Sequence, residues 1–148
     1  MPKRIDPTLF EQYKMAVAST DKVSDRRAET NKFFLSINSI IAGGIIFINE
    51  KLESIDATSI IFVATFGVVV CLIWFFTILD YKRLNGAKFE LIEKMEKSLP
   101  VQFYTDEWKI LNNKKPWYAK YKTFSKLELW LPVAFIGLYI VSAIVIAA

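Results

Sequence analysis

Hydrophobic and charged residues are separated along this chain into long blocks. Residues 57–79 contain no charged side chain, and residues 129–148 are also uncharged. These runs have 23 and 20 residues, and about 20 apolar residues allow a helix to cross a hydrocarbon core roughly 30 Å thick. The pattern therefore predicts two membrane-spanning helices.

A third uncharged run, residues 33–48, is shorter and more polar because it contains Asn38 and two serines. A buried hairpin helix that does not span the membrane is the alternative for this segment. Asn31 and Asn49 can lengthen the run, and the Lys32 side chain can extend its ammonium group to the headgroups. We therefore expect a third spanning helix here.

Two of these spans are predicted to continue as helices beyond the uncharged runs. Asp6-Pro7 is typical of an N-cap followed by proline at the first helical position, and no glycine or proline follows until Gly43. After Leu79, apolar residues keep a helical period until Pro100. Short amphipathic helices lying flat on the membrane are the alternative.

The expected fold class is an all-α integral membrane protein with three transmembrane helices, the first two extended as a cytoplasmic helical stalk. The expected order is a cytoplasmic amphipathic helix over 1–32, a first span over 33–49, an outer loop over 50–56, a second span over 57–79, a cytoplasmic helical extension over 80–99, a cytoplasmic short helix and basic-aromatic interfacial segment over 100–127, and a third span over 128–148.

Basic and aromatic residues are interleaved in the last part of the interfacial segment, after a short helix that Thr105 is predicted to cap and Asn112-Asn113 to end. Aromatic side chains favour the membrane interface, and each lysine near an anionic leaflet contributes about 1 kcal/mol. Single-stranded nucleic acid is the alternative ligand, but the adjacent span favours anionic lipid headgroups, and we expect no nucleic acid partner. The expected lipid-interface residues are Lys114, Lys115, Trp117, Tyr118, Lys120, Tyr121, Lys122 and Trp130.

The distribution of positive charge predicts the orientation of the chain in the membrane. Residues 1–32 contain seven Lys or Arg side chains, residues 49–56 contain one, and residues 80–128 contain 11. Short loops rich in Lys and Arg stay in the cytoplasm. The N-terminus is therefore expected in the cytoplasm and the C-terminus on the outer side.

A polar stripe runs along the first long helix. Ser24, Asn31 and Asn38 are spaced by seven residues and share nearly one face, and Arg27 and Ser39 lie beside them. Polar side chains at membrane depth turn toward another helix or a water-filled space. These five residues are candidates for helix–helix hydrogen bonds, which we favour, or for a pore-facing surface.

Charged residues also mark the point where the second span leaves the hydrocarbon core. Asp80, Lys82 and Arg83 follow Leu79 directly. We expect them to anchor the helix at the membrane boundary. The alternative is that they pair with the charged residues within 26–29 of the neighbouring helix.

The residue types that most enzymes and metal sites need are scarce. The chain has no histidine, and its one cysteine, Cys71, lies in the middle of the second span. Zinc sites built from cysteine and histidine are excluded, and no phosphate-binding glycine loop or nucleophile–histidine pair occurs. We therefore expect no catalytic residues, no metal, no cofactor and no enzymatic activity.

Several polar motifs have a fixed place relative to the spans. They are DKVSDRRAETNKFFLSINSIIAG at 21–43, DYKRLNGAKFELIEKME at 80–96, LP at 99–100 and YTDEW at 104–108. They resemble the RipA family of small bacterial membrane proteins, which is regarded as octameric. The arrangement of arginines, asparagines and paired phenylalanines that enters the hairpin is also similar to SLATT-type membrane effectors of nucleotide-signalled phage defence.

The resemblance implies a bacterial inner-membrane protein, so the outer side on which the charge distribution places the C-terminus is expected to be the periplasm. It also implies a ring-like homo-oligomer with a role in stress adaptation or host-associated growth. The first functional hypothesis is accordingly a non-enzymatic structural or regulatory oligomer. The alternative is a channel or membrane-permeabilising effector, of the ion-conducting or phage-defence type, and a membrane enzyme that acts on lipid is the third and least favoured hypothesis.

Overall fold

The computed structural model describes residues 6–51, 57–113 and 123–147. The regular elements in this part of the chain are four α-helices. They are α1 (Pro7–Lys51), α2 (Ala57–Glu96), α3 (Phe103–Asn113) and α4 (Thr123–Ala147). The all-α prediction is confirmed. Residues 52–56 of the predicted outer loop and the basic-aromatic residues 114–122 lie outside the described residues.

Helix α1 begins where the sequence predicts. The Thr8 amide donates a hydrogen bond to the Asp6 carboxylate at 2.9 Å, which satisfies one of the free N–H groups of the first turn. The helix then runs without interruption to Lys51, past the expected end of the first span at residue 49. The prediction of one long helix, rather than separate short helices, is confirmed for α1.

Helix α2 is also continuous, but it ends at Glu96, before the expected end at Leu99. The amides of Ser98 and Leu99 donate to the carbonyl oxygens of Met95 and Glu96 at 3.1 and 2.9 Å. These bonds connect residues three apart, so they tighten the chain into a turn instead of extending the α-helix. The turn brings the chain to α3 just after Pro100.

Three of the helices are long and apolar enough to cross a membrane. The qualifying segments are Pro7–Phe47, Thr58–Glu96 and Leu127–Val145, so the third uncharged run belongs to a helix that meets the requirement. Helix α4 begins at Thr123, before the expected start of its span at residue 128, and contains the buried Pro132.

The described residues group into two compact units. The polar unit combines Met1–Arg27 with Asp80–Ser125, and the apolar unit combines Ala28–Leu79 with Lys126–Ala148. In the polar unit, the Phe89 and Tyr104 rings contact edge to face at 5.8 Å. The apolar unit has a core of the buried residues Ile45, Ile60, Ala64, Cys71 and Tyr139.

Candidate functional site

A buried asparagine lies at the centre of the apolar unit. Asn38 of α1 is 0% exposed. Its side-chain nitrogen donates to the carbonyl oxygen of Phe34, one turn earlier on the same helix, at 2.8 Å. This bond orients the amide so that its oxygen is available to other helices.

Two other helices donate hydrogen bonds to Asn38. The Cys71 thiol of α2 donates to the Asn38 side-chain oxygen at 3.0 Å. The Tyr139 hydroxyl of α4 lies 3.0 Å from the same oxygen and 3.1 Å from the Asn38 main-chain oxygen. The Asn38 side chain therefore connects α1, α2 and α4. Burying an amide without hydrogen-bond partners costs free energy, and these contacts avoid that cost.

Gly67 of α2 makes room for the tyrosine. A Cβ atom at this position would lie 2.6 Å from two atoms of the Tyr139 ring, closer than real Cβ contacts. By contrast, a Cβ atom at Gly43, Gly44 or Gly137 would meet no atom within 4 Å. Gly67 is therefore the spanning-segment glycine whose missing side chain the packing of the protomer requires.

Asn31 makes a second contact between α1 and α2. The Trp74 indole N–H donates to the Asn31 side-chain oxygen at 2.9 Å. Trp74 is fully buried, and its ring stacks on Phe34 with a centroid distance of 5.9 Å. Two members of the polar stripe, Asn31 and Asn38, thus accept hydrogen bonds from side chains of other helices.

The other members of the stripe have different environments. Ser24 and Arg27 are half-buried and belong to the polar unit. Ser39 is exposed on the surface of the apolar unit, although it follows Asn38 directly in the sequence. Neighbouring positions on a helix point about 100° apart, so Ser39 is turned away from the contacts that Asn38 makes.

The predicted boundary charges are on the protein surface. Arg83 lies 3.7 Å from Asp80 of the same helix, and both side chains are largely exposed. Such surface pairs contribute about 0–1 kcal/mol. Lys82 is exposed as well, and so is Trp130 of α4, the one predicted lipid-interface residue within the described part of the chain.

Glu96 is a buried polar residue that the sequence reasoning missed. It is the last residue of α2 and is 0% exposed. Its carboxylate accepts hydrogen bonds from the amides of Tyr104 and Thr105 at 2.8 and 3.0 Å, and from the Thr105 hydroxyl at 2.8 Å. The Tyr13 hydroxyl of α1 donates to the same carboxylate at 3.0 Å.

Glu96 therefore caps α3, in place of Thr105. The prediction that Thr105 is the N-cap was wrong, because α3 begins at Phe103 and the Thr105 hydroxyl donates to Glu96. A carboxylate at this position satisfies two free N–H groups and interacts favourably with the helix dipole. Helix α3 extends to Asn113, the last described residue before residues 114–122, so its predicted end at Asn112-Asn113 stays a prediction.

These contacts change the ionisation of both partners. Burial alone would raise the pKa of the Glu96 carboxyl, but the hydrogen bonds from Tyr104, Thr105 and Tyr13 lower it below its ordinary value. Burial, the hydrogen bond to Glu96 and the charge of that carboxylate raise the pKa of Tyr13 to about 12. The pair therefore favours an ionised glutamate and a neutral tyrosine.

The sequence contains one signal for Glu96. Ile92, which is fully buried, and Glu96 are four residues apart, so they share a helix face. An acidic side chain that continues a buried apolar face needs hydrogen-bond donors nearby. The amides at the start of the next helix, after the turn at Pro100, are the nearest source of such donors.

The polar side-chain atoms of Glu96 and Asn38 are occupied by hydrogen bonds within the protein. The Glu96 carboxylate and the Asn38 amide are both buried and hydrogen-bonded within the protein. Within residues 6–51, 57–113 and 123–147, no three His, Cys, Asp or Glu side chains form a group that could hold a metal ion. What the two arrangements do is fix helices against each other.

Long apolar helices joined by buried polar contacts define a multi-pass α-helical membrane protein. The chain belongs to the octameric membrane protein family (8xMP), whose sequence model matches residues 10–148. This match confirms the resemblance to small octameric membrane proteins and indicates self-association. The family description names no enzymatic reaction. No curated protein and no solved structure matches the chain.

Proposed function

We propose that this protein is a non-enzymatic homo-oligomer of the bacterial inner membrane with a structural or regulatory role, in stress adaptation or host-associated growth. The observation that carries this proposal is the fully buried Asn38, whose side-chain oxygen accepts hydrogen bonds from Cys71 and Tyr139. A polar side chain of this kind fixes the relative position of helices. It therefore serves a rigid building block better than a path for ions.

The polar unit supports the same role. Glu96 connects the end of α2 to α3 and, through Tyr13, to α1. The Lys88 ammonium group donates to the Ser19 hydroxyl, which is a further contact between α2 and α1. These side chains give the polar unit a defined surface that other copies or a partner protein can recognise.

The proposed topology follows the distribution of Lys and Arg. The N-terminus and the polar unit lie in the cytoplasm, and the C-terminus lies in the periplasm. The polar unit is then the cytoplasmic stalk, and the basic-aromatic residues 114–122 contact anionic lipid headgroups. The 11 Lys and Arg side chains within residues 80–128 support this orientation.

The test of the proposal combines mass and permeability. Mass photometry of the detergent-purified protein is expected to give about eight times the chain mass of 17.1 kDa. Vesicles that contain the same protein and a trapped fluorescent ion indicator are expected to admit ions no faster than empty vesicles do. A strictly monomeric protein, or rapid ion leak from the vesicles, would contradict the proposal.

A channel or membrane-permeabilising effector is the second candidate. The specific observation in its favour is that Ser36 and Ser39 are exposed on the apolar unit, where hydroxyl groups are suited to line water. Ion leak from vesicles that is abolished by Ser39→Leu but kept in Thr77→Leu would establish this function. Thr77 is a matched control because it is an exposed hydroxyl on α2.

A further inference from the structure

The outward faces of the spanning helices differ in how their hydroxyl groups are satisfied. On α2, beyond the exposed Thr58 and Ser59 of its first turn, the Thr65 and Thr77 hydroxyls donate to the carbonyl oxygens of Ile61 and Ile73 of their own helix, both at 2.8 Å. On α1, the exposed Ser36 and Ser39 hydroxyls make no hydrogen bond within the described part of the chain. Lipid offers no donors or acceptors at this depth.

The outward face of α1 also alternates between large and small side chains. Its exposed residues recur at intervals of three and four, which places them in one row along the helix. They are Phe33, Ser36, Ile40, Gly43 and Phe47. A Cβ atom at Gly43 would meet nothing within 4 Å. Large side chains that alternate with gaps suit a second helix packed against this row.

The outward faces of α2 and α4 differ from each other in whether small side chains leave gaps. Beyond the first turn of α2, which exposes Ser59, the exposed row consists of Phe62, Thr65, Val69, Leu72 and Phe76, with no glycine, alanine or serine. On α4, Ala134 and Gly137 are exposed one turn apart, and a Cβ atom at Gly137 would meet nothing within 4 Å. Small residues let helices approach closely in membranes, where apolar surface alone gives no preference for protein over lipid.

Symmetry requires two different contact surfaces on each copy. Copies that insert into a membrane with the same orientation can be related only by an axis along the membrane normal, so an octamer is a closed ring. The contacts in such a ring are heterologous, and each copy presents one patch to each neighbour. The apolar unit has two outward faces with gaps, on α1 and α4, and the family is octameric.

We propose that the outward face of α1 packs against the outward face of α4 at Ala134 and Gly137 of the next copy, and that the outward face of α2 contacts lipid. Ser36 and Ser39 then find hydrogen-bond partners in the neighbouring copy. This inference rests on the oligomer of the proposed function and names its contact.

A photoreactive side chain tests which face meets another copy. Phe47 of α1 and Phe62 of α2 are 62% and 75% exposed. Phe33 of α1 and Phe76 of α2 are 59% and 60% exposed. Replacing each in turn with benzoylphenylalanine, in the full chain and in cell membranes, gives two matched pairs of probes, because every probe enlarges a phenylalanine by the same benzoyl group.

After irradiation, the α1 probes are expected to give a covalent dimer whose cross-linked peptide maps to α4. A probe at Trp130 of α4 is expected to give a dimer mapping to α1, and the α2 probes are expected to give no dimer. Dimers formed through α2, α1 probes that attach to lipid, or α1 probes that attach to nothing would each overturn the inference. The last result would indicate a water-filled opening instead.

A second measurement tests the same contact without photoreactive probes, in case a probe itself prevents assembly. Ser36→Leu fills a gap of the proposed contact, and Thr65→Leu places the same side chain on the outward face of α2. Mass photometry is expected to show loss of octamer for Ser36→Leu and an intact octamer for Thr65→Leu. The reverse result would overturn the inference. A wild-type octamer that cross-links through α2 refutes this contact alone, whereas a monomeric wild type refutes the proposed function.

Discussion

At the scale of single residues, the strongest constraint lies on Asn38. A membrane-embedded asparagine without partners would be expensive, and the structure provides them from Phe34, Cys71 and Tyr139. Hydrogen bonds between membrane helices contribute about 0.6–2 kcal/mol each. The neighbouring Ser39 is exposed and makes none of these contacts.

Asn38→Leu is expected to destabilise the protein by about 1–3 kcal/mol, because it removes the acceptor and leaves the Tyr139 hydroxyl buried with fewer partners. The measurement is the thermal unfolding midpoint in detergent, followed by circular dichroism. Asn38→Ser, which keeps a short polar group, is expected to lose less. Equal loss in both variants would mean that shape, and not hydrogen bonding, matters at this position.

Gly67→Ala is expected to lower the thermal midpoint, because the added Cβ would lie 2.6 Å from the Tyr139 ring and the two helices must separate. Gly86→Ala is the control on the same helix. A Cβ atom at Gly86 meets nothing within 4 Å, so this change is expected to be neutral or to stabilise by up to about 1 kcal/mol through helix propensity. A neutral Gly67→Ala would contradict the packing described for Tyr139.

At the scale of helices, the cap of α3 makes stability depend on pH. The pKa of Glu96 in the folded protein is lower than its ordinary value of 4.5. Its stabilising effect is therefore complete above about pH 4.5 and is lost as the pH falls through the folded pKa. Below that pH the protonated carboxyl is a weaker acceptor for the amides of Tyr104 and Thr105.

Glu96→Gln is expected to lower the thermal midpoint at pH 7 by an amount equivalent to about 2 kcal/mol. The gap between wild type and variant is expected to narrow as the pH falls below 4.5. Unfolding monitored by circular dichroism between pH 3 and pH 7 gives both results. Glu93→Gln, an exposed residue on the same helix, is expected to match the wild type throughout.

The sequence predicts the helices better than their contacts, for a physical reason. Helix α1 follows from the Asp6-Pro7 cap and an uninterrupted chain, and the spans follow from uncharged runs, because these signals are local. The end of α2 at Glu96 does not follow from a local signal, because the same residue ends α2 and caps α3. Because Glu96 lies nine residues before Thr105, the sequence at the start of α3 does not show which residue caps it.

At the scale of the whole molecule, the partners of Asn38 could not be assigned from the sequence. Its spacing of seven residues from Asn31 indicates a shared face and favours hydrogen bonding between helices. Cys71 and Tyr139, however, lie 33 and 101 residues away, and Tyr139 is one of six tyrosines in the chain. Gly67 is also missed, because it belongs to no GxxxG pattern and matters only once Tyr139 lies against it.

The orientation of the chain has a direct test. Alkaline phosphatase, which needs disulfide bonds and so folds only outside the cytoplasm, is expected to be active when fused after Ala148. The same enzyme fused before residue 1 is expected to be inactive. The physical basis is the one Lys in residues 49–56 against 11 Lys or Arg in residues 80–128. An inactive C-terminal fusion with an active N-terminal fusion would invert the proposed topology.

The separation of Asn38 and Tyr139 along the sequence also determines the order in which their contacts can form. The ribosome delivers α1 and α2 well before α4, and 101 residues separate the two hydrogen-bonding partners. At synthesis rates of about 5–20 residues per second, this interval lasts roughly 5–20 seconds. During that time the Tyr139 ring does not yet cover Gly67. The Asn38 side-chain oxygen has Cys71 as a donor but not yet Tyr139. We therefore expect the contacts of Asn38 and Gly67 to be complete only after α4 has entered the membrane.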